Sequence, residues 1–224
     1  MRLLDLFCGA GGAAMGYHLA GFEVVGVDHK PQKHYPFEFH CEDAFSFLEQ
    51  HGREFDVIHA SPPCQAFSDL KTMHNAKHHV NLLTPMREAL RELGKPYVIE
   101  NVEGAPMENY ITLCGGAFGL GTEDSELRRH RRFEISPMLL ITPPCRHKAK
   151  SRVIGVYGGH GRDRRRALNA QDFSVEDRRI AMDIPWMSGS ELSQAIPPAY
   201  TQFIGEQLLA MLANDEGQHN ATKL

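Results

Sequence analysis

The stretch from Arg2 to Asp28 constrains the fold most. Arg2-Leu3-Leu4-Asp5-Leu6-Phe7 is a short apolar run that reads as a buried strand. Cys8-Gly9-Ala10-Gly11-Gly12 forms a glycine turn, and a small-residue helix follows from Ala13 to Leu19, closed by Gly21. A second strand runs from Glu23 to Val27 with Asp28 at its tip. Two strands joined by a helix of this length pair in parallel, which selects an open α/β sheet. The glycines let a ligand approach the backbone closely, and Asp28 can accept both hydroxyls of a ribose. The spacing Gly9-x-Gly11-Gly12 is not G-x-G-x-x-G, which disfavours a pyrophosphate-binding dinucleotide site. A tight turn without a ligand is the alternative.

The pattern continues. Strands are expected at Phe37–Cys41, Phe55–Ala60, Tyr97–Ile99 and Ile111–Cys114, and helices at Ala44–His51, Leu83–Leu93 and Pro198–Leu212. This is an α/β class fold, a doubly wound and mostly parallel sheet. Asp43 either caps the helix behind it or meets an adenine amino group. The Phe55–Ala60 run leads into Ser61-Pro62-Pro63-Cys64-Gln65, where two prolines stop the strand and stiffen the turn. Cys64 then sits at a strand's C-terminal edge, as a candidate nucleophile or as a structural thiol. Tyr97–Ile99 delivers Glu100-Asn101-Val102 to the same edge. The polar, His-rich stretch Gln65–Asn81 reads as a lid or binding loop. Its His74, His78 and His79 lack a second ligand cluster, and Cys145 with His147 is too little for zinc, so no metal is expected.

With 224 residues and 42% hydrophobic content the chain suits one domain with a small appendage. No apolar run approaches a membrane span, no signal peptide is evident at Met1-Arg2, and the five cysteines are scattered. The expectation is an intracellular, cytoplasmic and monomeric protein in a reducing compartment. Residues 137–190 carry net charge +5, leaving −9 for the rest of a chain of −4. An acidic body with a basic segment fits a polyanionic substrate, although a solvated basic loop would look the same. Val153–Tyr157 reads as a strand there and Val175–Met182 as a helix.

Asp5-Leu6-Phe7-Cys8-Gly9-Ala10-Gly11-Gly12, Ser61-Pro62-Pro63-Cys64-Gln65 and Glu100-Asn101-Val102 resemble, in order, the first, fourth and sixth motifs of the DNA cytosine-5 methyltransferases. Leu127–Phe133 resembles the eighth, with its two arginines at Arg129 and Arg131 and Leu127 in place of the usual Gln. Ser193-Gln194-Ala195-Ile196-Pro197 resembles the tenth but lacks its Gly and Asn. The resemblance implies a Rossmann-like methyltransferase domain over 1–136 and 191–212 and a reduced basic target-recognition segment over 137–190; the polar residues 213–224 read as a flexible tail. It implies that the enzyme acts on double-stranded DNA with S-adenosylmethionine as methyl donor. Cys64 would be the nucleophile, Glu100 would hold the cytosine edge, and Arg131 with Arg129 would orient the flipped base. Asp5, Phe7, Gly9, Gly11, Asp28, His29, Asp43, Pro63, Gln194 and Ala195 would bind the cofactor. The tRNA-acting branch of the same superfamily shares Pro-Pro-Cys and Glu-Asn-Val and is an alternative. A catalytically silent binding partner is a further alternative, against which intact Cys64 and Glu100 argue.

Overall fold

In a computed structural model, Leu3, Leu4 and Leu6 are fully buried because β1 (Arg2–Leu6) lies between two parallel neighbours, β2 (Glu23–Asp28) and β4 (Val57–Ala60). The structure describes residues 1–63, 81–138, 142–147, 151–157 and 173–221. Cys64, all of the expected lid except Asn81, and the run Arg162–Arg166 lie outside the described residues. The remaining elements are α1 (Gly12–Ala20), β3 (Glu38–Cys41), α2 (Ala44–His51), α3 (Leu83–Leu93), β5 (Tyr97–Asn101), β6 (Tyr110–Leu113), β7 (Gly121–Thr122), β8 (Ser125–Leu127), β9 (Arg131–Ser136), β10 (Arg152–Ile154), α4 (Val175–Met182), α5 (Gly189–Gln194) and α6 (Pro198–Ala221).

The main sheet has seven strands in the order β3-β2-β1-β4-β5-β9-β6. From β3 to β5 every pairing is parallel, and β9 runs antiparallel between β5 and β6. This is the expected doubly wound, mostly parallel sheet. Alternating side chains feed two cores. Leu3, Val24, Val57 and Val98 pack with Tyr17 of α1 and Tyr200, Ile204 and Leu208 of α6. Leu4, Val25, Ile58 and Ile99 pack with Phe47 and Leu48 of α2 and Leu83, Met86 and Leu90 of α3. Both faces are covered, so the strands read as near-continuous apolar runs.

Helix α6 departs from expectation. It continues to Ala221, whereas the sequence reading stopped it at Leu212 and left 213–224 as a flexible tail. Past Leu212, Ala213, Glu216, Gln218 and Ala221 favour a helix, and no proline breaks the ladder. Its first turn is pinned to α1, where Thr201 Oγ1 donates to the Ala13 carbonyl at 2.8 Å.

A small sheet, β10-β8-β7, carries the appendage. The strand expected over Val153–Tyr157 is shorter, Arg152–Ile154, and pairs in parallel with β8. Ile154, Val156, Phe173, Met182, Ile184 and Met187 form a third core together with Leu127, Leu192 and Ala10. The described part of 137–190 is therefore continuous with the main body through β8 and the glycine turn. Trp186 reinforces that join, its Nε1 donating to the Ala10 carbonyl at 2.9 Å.

Candidate active site

Chain order reverses between β1 and β4. In an open α/β sheet a ligand crevice forms at that switch point, beyond the strands' C-terminal ends. A cavity of about 350 Å³ lies there. Its walls come from the turn after β1, the tip of β2, the proline turn after β4, the end of β5, and residues 193–196.

One half of the cavity is built by the first βαβ unit. Phe7 has φ 58 and Gly9 φ 50, so the chain leaves β1 through two left-handed residues; in Phe7 this is a strained conformation of the kind found at ligand sites. The turn exposes the Gly9 amide, which donates to Asp28 Oδ2 at 3.1 Å, while the Lys30 amide donates to Oδ1 at 3.0 Å. His29 Nδ1 stands 3.2 Å from Oδ1. Phe7, Gly9, Asp28 and His29 all line the cavity. Gly11 does not; with φ 83 it turns the chain into α1, and a Cβ there would meet Pro36 Cδ at 2.8 Å. Asp5 lines the floor and is fully buried, and neither of its carboxylate oxygens has a hydrogen-bond partner. Burial pushes this carboxyl well above the ordinary range, the Asp28 charge adds to the effect, and the Ala14 amide, near but outside hydrogen-bond geometry, opposes it. An orphaned buried carboxyl facing a cavity is a polar group whose partner the protein itself does not supply.

The other half carries the reactive constellation. Glu100 lies within β5 rather than past its tip and is buried, and Arg131 Nε holds its Oε1 at 3.0 Å. Burial raises the Glu100 carboxyl, and Arg131, Arg129 and a hydrogen bond with Ser61 oppose that rise. Behind Ser61 runs a polar line that sequence reasoning missed. His59 Nε2 is 2.9 Å from Ser61 Oγ, and Tyr17 OH is 2.9 Å from His59 Nδ1. Burial pulls His59 down to about 3, so it stays neutral and relays hydrogen bonds without charge. The signal was a polar ring inside an apolar strand. Asn101 was also unassigned. Its side-chain amide donates to the Pro62 carbonyl at 3.0 Å and its Oδ1 accepts from the Val102 amide at 3.0 Å, which fixes the proline turn against β5. Pro62 and Pro63 line the cavity, and Cys64 follows Pro63 in the chain.

Gln194 and Ala195 form the far wall. Arg129, expected to orient a base, is instead 2% exposed and lines no part of the cavity. Its guanidinium donates to the carbonyls of Ala195 at 3.0 Å, Ser193 at 2.8 Å and Val156. Burial and the neighbouring Arg131 charge lower it to about 9, which leaves it cationic at neutral pH. Three carbonyl acceptors engage its fork, so it braces the wall. Asp43 is likewise outside the cavity. Its Oδ1 accepts from the amides of Phe45 and Ser46 at 3.1 and 3.0 Å, the helix-cap alternative of the two the sequence left open. The expectation that Cys145 and His147 stand without further metal-type ligands is corrected too: Cys114 and His130 fold beside them.

Among the described residues no helix is long and apolar enough to cross a membrane.

Residues 1–109 match the model of the C-5 cytosine-specific DNA methylase family. The type II methylase M.HgiDII of Herpetosiphon aurantiacus is 33% identical over 115 residues, covering 45% of this chain and 32% of that protein. The type II methyltransferase M.HgiGI of the same organism is 31% identical over 119 residues, covering 47% of this chain and 93% of that protein. The chain spans about a third of the length of the first relatives it matches. Among solved structures, Spodoptera frugiperda DNMT2 superposes with a TM-score of 0.61 at 13% identity, over 93% of this chain and 99% of that one. That likeness is one of fold.

Proposed function

Because the chain belongs to the C-5 cytosine-specific DNA methylase family, we propose that it methylates C5 of a cytosine in double-stranded DNA, with S-adenosylmethionine as the methyl source. One observation carries the reading. The Glu100–Arg131 pair and the Pro62-Pro63 turn share a single cavity with Asp5 and Asp28.

The cofactor fits what is present. The orphaned Asp5 carboxyl suits its cationic end, and Asp28, fixed by two backbone amides, keeps lone pairs for ribose hydroxyls. Phe7, Gly9, His29, Pro63, Gln194 and Ala195 would complete its walls. When bound, this group supplies an electrophilic methyl.

Cytosine C5 is a weak nucleophile. The Cys64 thiolate would add to C6 and form a C6–S bond, which would make C5 enamine-like and nucleophilic enough for the methyl group that the cofactor would supply. The C5 proton would then pass to a water molecule as the C6–S bond breaks, returning the thiolate. Glu100, raised by burial, holds the proton that passes to the pyrimidine N3 as negative charge develops there, and accepts a hydrogen bond from the exocyclic N4. Arg131 fixes the carboxyl, and Asn101 fixes the turn that precedes Cys64. C6 is unreachable in a stacked duplex, so the base is flipped out first. Arg129 and Asp43 are left out of this machinery.

The test is methylation of plasmid DNA by the full chain, read by base-resolution cytosine sequencing, with a tRNA transcript in parallel and Cys64→Ser as control. Methylated plasmid cytosines that vanish in Cys64→Ser are expected. Label in the transcript alone, or full activity in Cys64→Ser, overturns the reading.

A further inference from the structure

Away from the cavity, four metal-type side chains converge from three separate stretches of chain. Cys114 follows β6, His130 precedes β9, and Cys145 and His147 lie between β9 and β10. His147 Nε2 is 3.1 Å from Cys114 Sγ and 3.1 Å from Cys145 Sγ, and His130 Nε2 is 3.3 Å from Cys145 Sγ. All four ligand atoms lie within 4.8 Å of one another. Tetrahedral zinc, with Zn–S near 2.3 Å and Zn–N near 2.0 Å, sets its ligand atoms roughly 3.3–3.8 Å apart. Shifts of up to about 1 Å per ligand atom would therefore close this cluster on one ion. Two thiols and two imidazoles are also the soft, borderline donor set that zinc takes in tetrahedral sites.

The backbone around the cluster is arranged for it. The Ala117 amide donates to the Cys114 carbonyl at 3.0 Å and closes the turn that carries this sulfur. A Cβ at Gly116 would meet the Arg146 carbonyl at 2.7 Å, so only glycine lets the Cys145–His147 strand of chain pass this close.

We propose that Cys114, His130, Cys145 and His147 form a structural zinc site. The protein supplies all four ligands, which leaves no open position for substrate and makes the site structural rather than catalytic. Both thiols release their protons on binding, so a neutral Cys2His2 centre forms. Its place in the fold gives it a task. The His130 carbonyl accepts a hydrogen bond from Arg131 Nη1 at 2.8 Å, and Arg131 is the partner of Glu100. The ion thus ties residues 145–147, the start of the basic stretch, to the strand that positions a cavity residue.

Metal content tests this independently of any methylation. The full, untagged chain from zinc-supplemented cells is analysed by elemental mass spectrometry, beside Cys145→Ser, His147→Gln and the double variant. About one zinc per wild-type chain is expected, falling below about a tenth in the double variant. Cys145 and His147 are exposed, so these substitutions spare the cores. Cobalt(II) reconstitution of the wild type should give the visible bands and sulfur charge transfer of a tetrahedral thiolate site. If the variants are insoluble, thiol titration of the wild type decides: two cysteines should become reactive only after a chelator is added. Wild type that stays below a tenth of an equivalent after incubation with zinc overturns the proposal. So does undiminished zinc in the double variant, thiols equally reactive with and without chelator, or a Cys114–Cys145 disulfide under native conditions.

Discussion

Replacing Asp5 by Asn should stabilise the free protein and weaken cofactor binding together. Asp5 is fully buried, has no hydrogen-bond partner, and sits near the Asp28 charge. Leaving a buried group unsatisfied costs about 1–3 kcal/mol, with more for a charge. The amide removes the charged part of that cost. The sign follows from linkage. The folded value lies above the ordinary 3.8, so the fold favours the protonated acid. Wild-type stability from this group is intact below the ordinary value and is lost as pH rises through the folded value. The melting-temperature gain of Asp5→Asn should therefore be near zero at about pH 4 and grow toward alkaline pH. For a chain of this size, about 1–2 kcal/mol corresponds to roughly 2–8 °C. S-adenosylmethionine should bind the variant about 1.5–3 kcal/mol more weakly, the loss of a charge-assisted contact, or roughly ten- to a hundred-fold in Kd. Calorimetric titration and thermal melts at three pH values measure both. A variant that melts lower than wild type at alkaline pH, or binds the cofactor equally well, refutes the reasoning.

Arg131→Gln leaves Glu100 buried without its partner, and a melting-curve loss worth about 3–5 kcal/mol is expected together with loss of methyl transfer. Arg129→Met frees three backbone carbonyls, so a loss of at least about 3 kcal/mol should appear in denaturant titration. Arg129→Lys should not restore it, because an ammonium cannot reproduce the fork. Asp28→Ala should weaken S-adenosylmethionine by about 1–3 kcal/mol in calorimetry while leaving a DNA mobility shift unchanged.

The parallel half of the sheet was legible because each strand is buried on two faces, so Leu3-Leu4 and Val24-Val25 read as unbroken apolar runs whatever their partners. Part of the cavity was legible for a related reason: Asp28 and Glu100 end such runs, and a carboxylate there needs a purpose, whereas Asp5 entered only through the motif resemblance. What escaped notice depended on contacts far along the chain. Arg129 and Arg131 are two apart and chemically equal, yet one ends on Glu100 and the other on carbonyls more than twenty-five residues away. A carbonyl acceptor leaves no mark in the sequence. The Tyr17–His59–Ser61 line and the Cys114–His130–Cys145–His147 cluster were hidden the same way, their members separated by strands or loops that only the fold brings together.

The same distinction explains how the far wall survives without the Gly and Asn of the related motif. Ser193 and Ala195 are held by their carbonyls, through Arg129, and the backbone of Ile196 packs where a Cβ on Gly12 would come within 2.4 Å of its carbonyl. What is specified is the path of the backbone, and the side chains of Gln194 and Ala195 merely occupy it. A wall set by main chain tolerates new residues as long as its brace and its close-approach glycine remain. The constraint is therefore displaced from 193–195, where the motif is usually read, to Arg129 and Gly12. Substitution at Gln194 should cost little beside substitution at either of those.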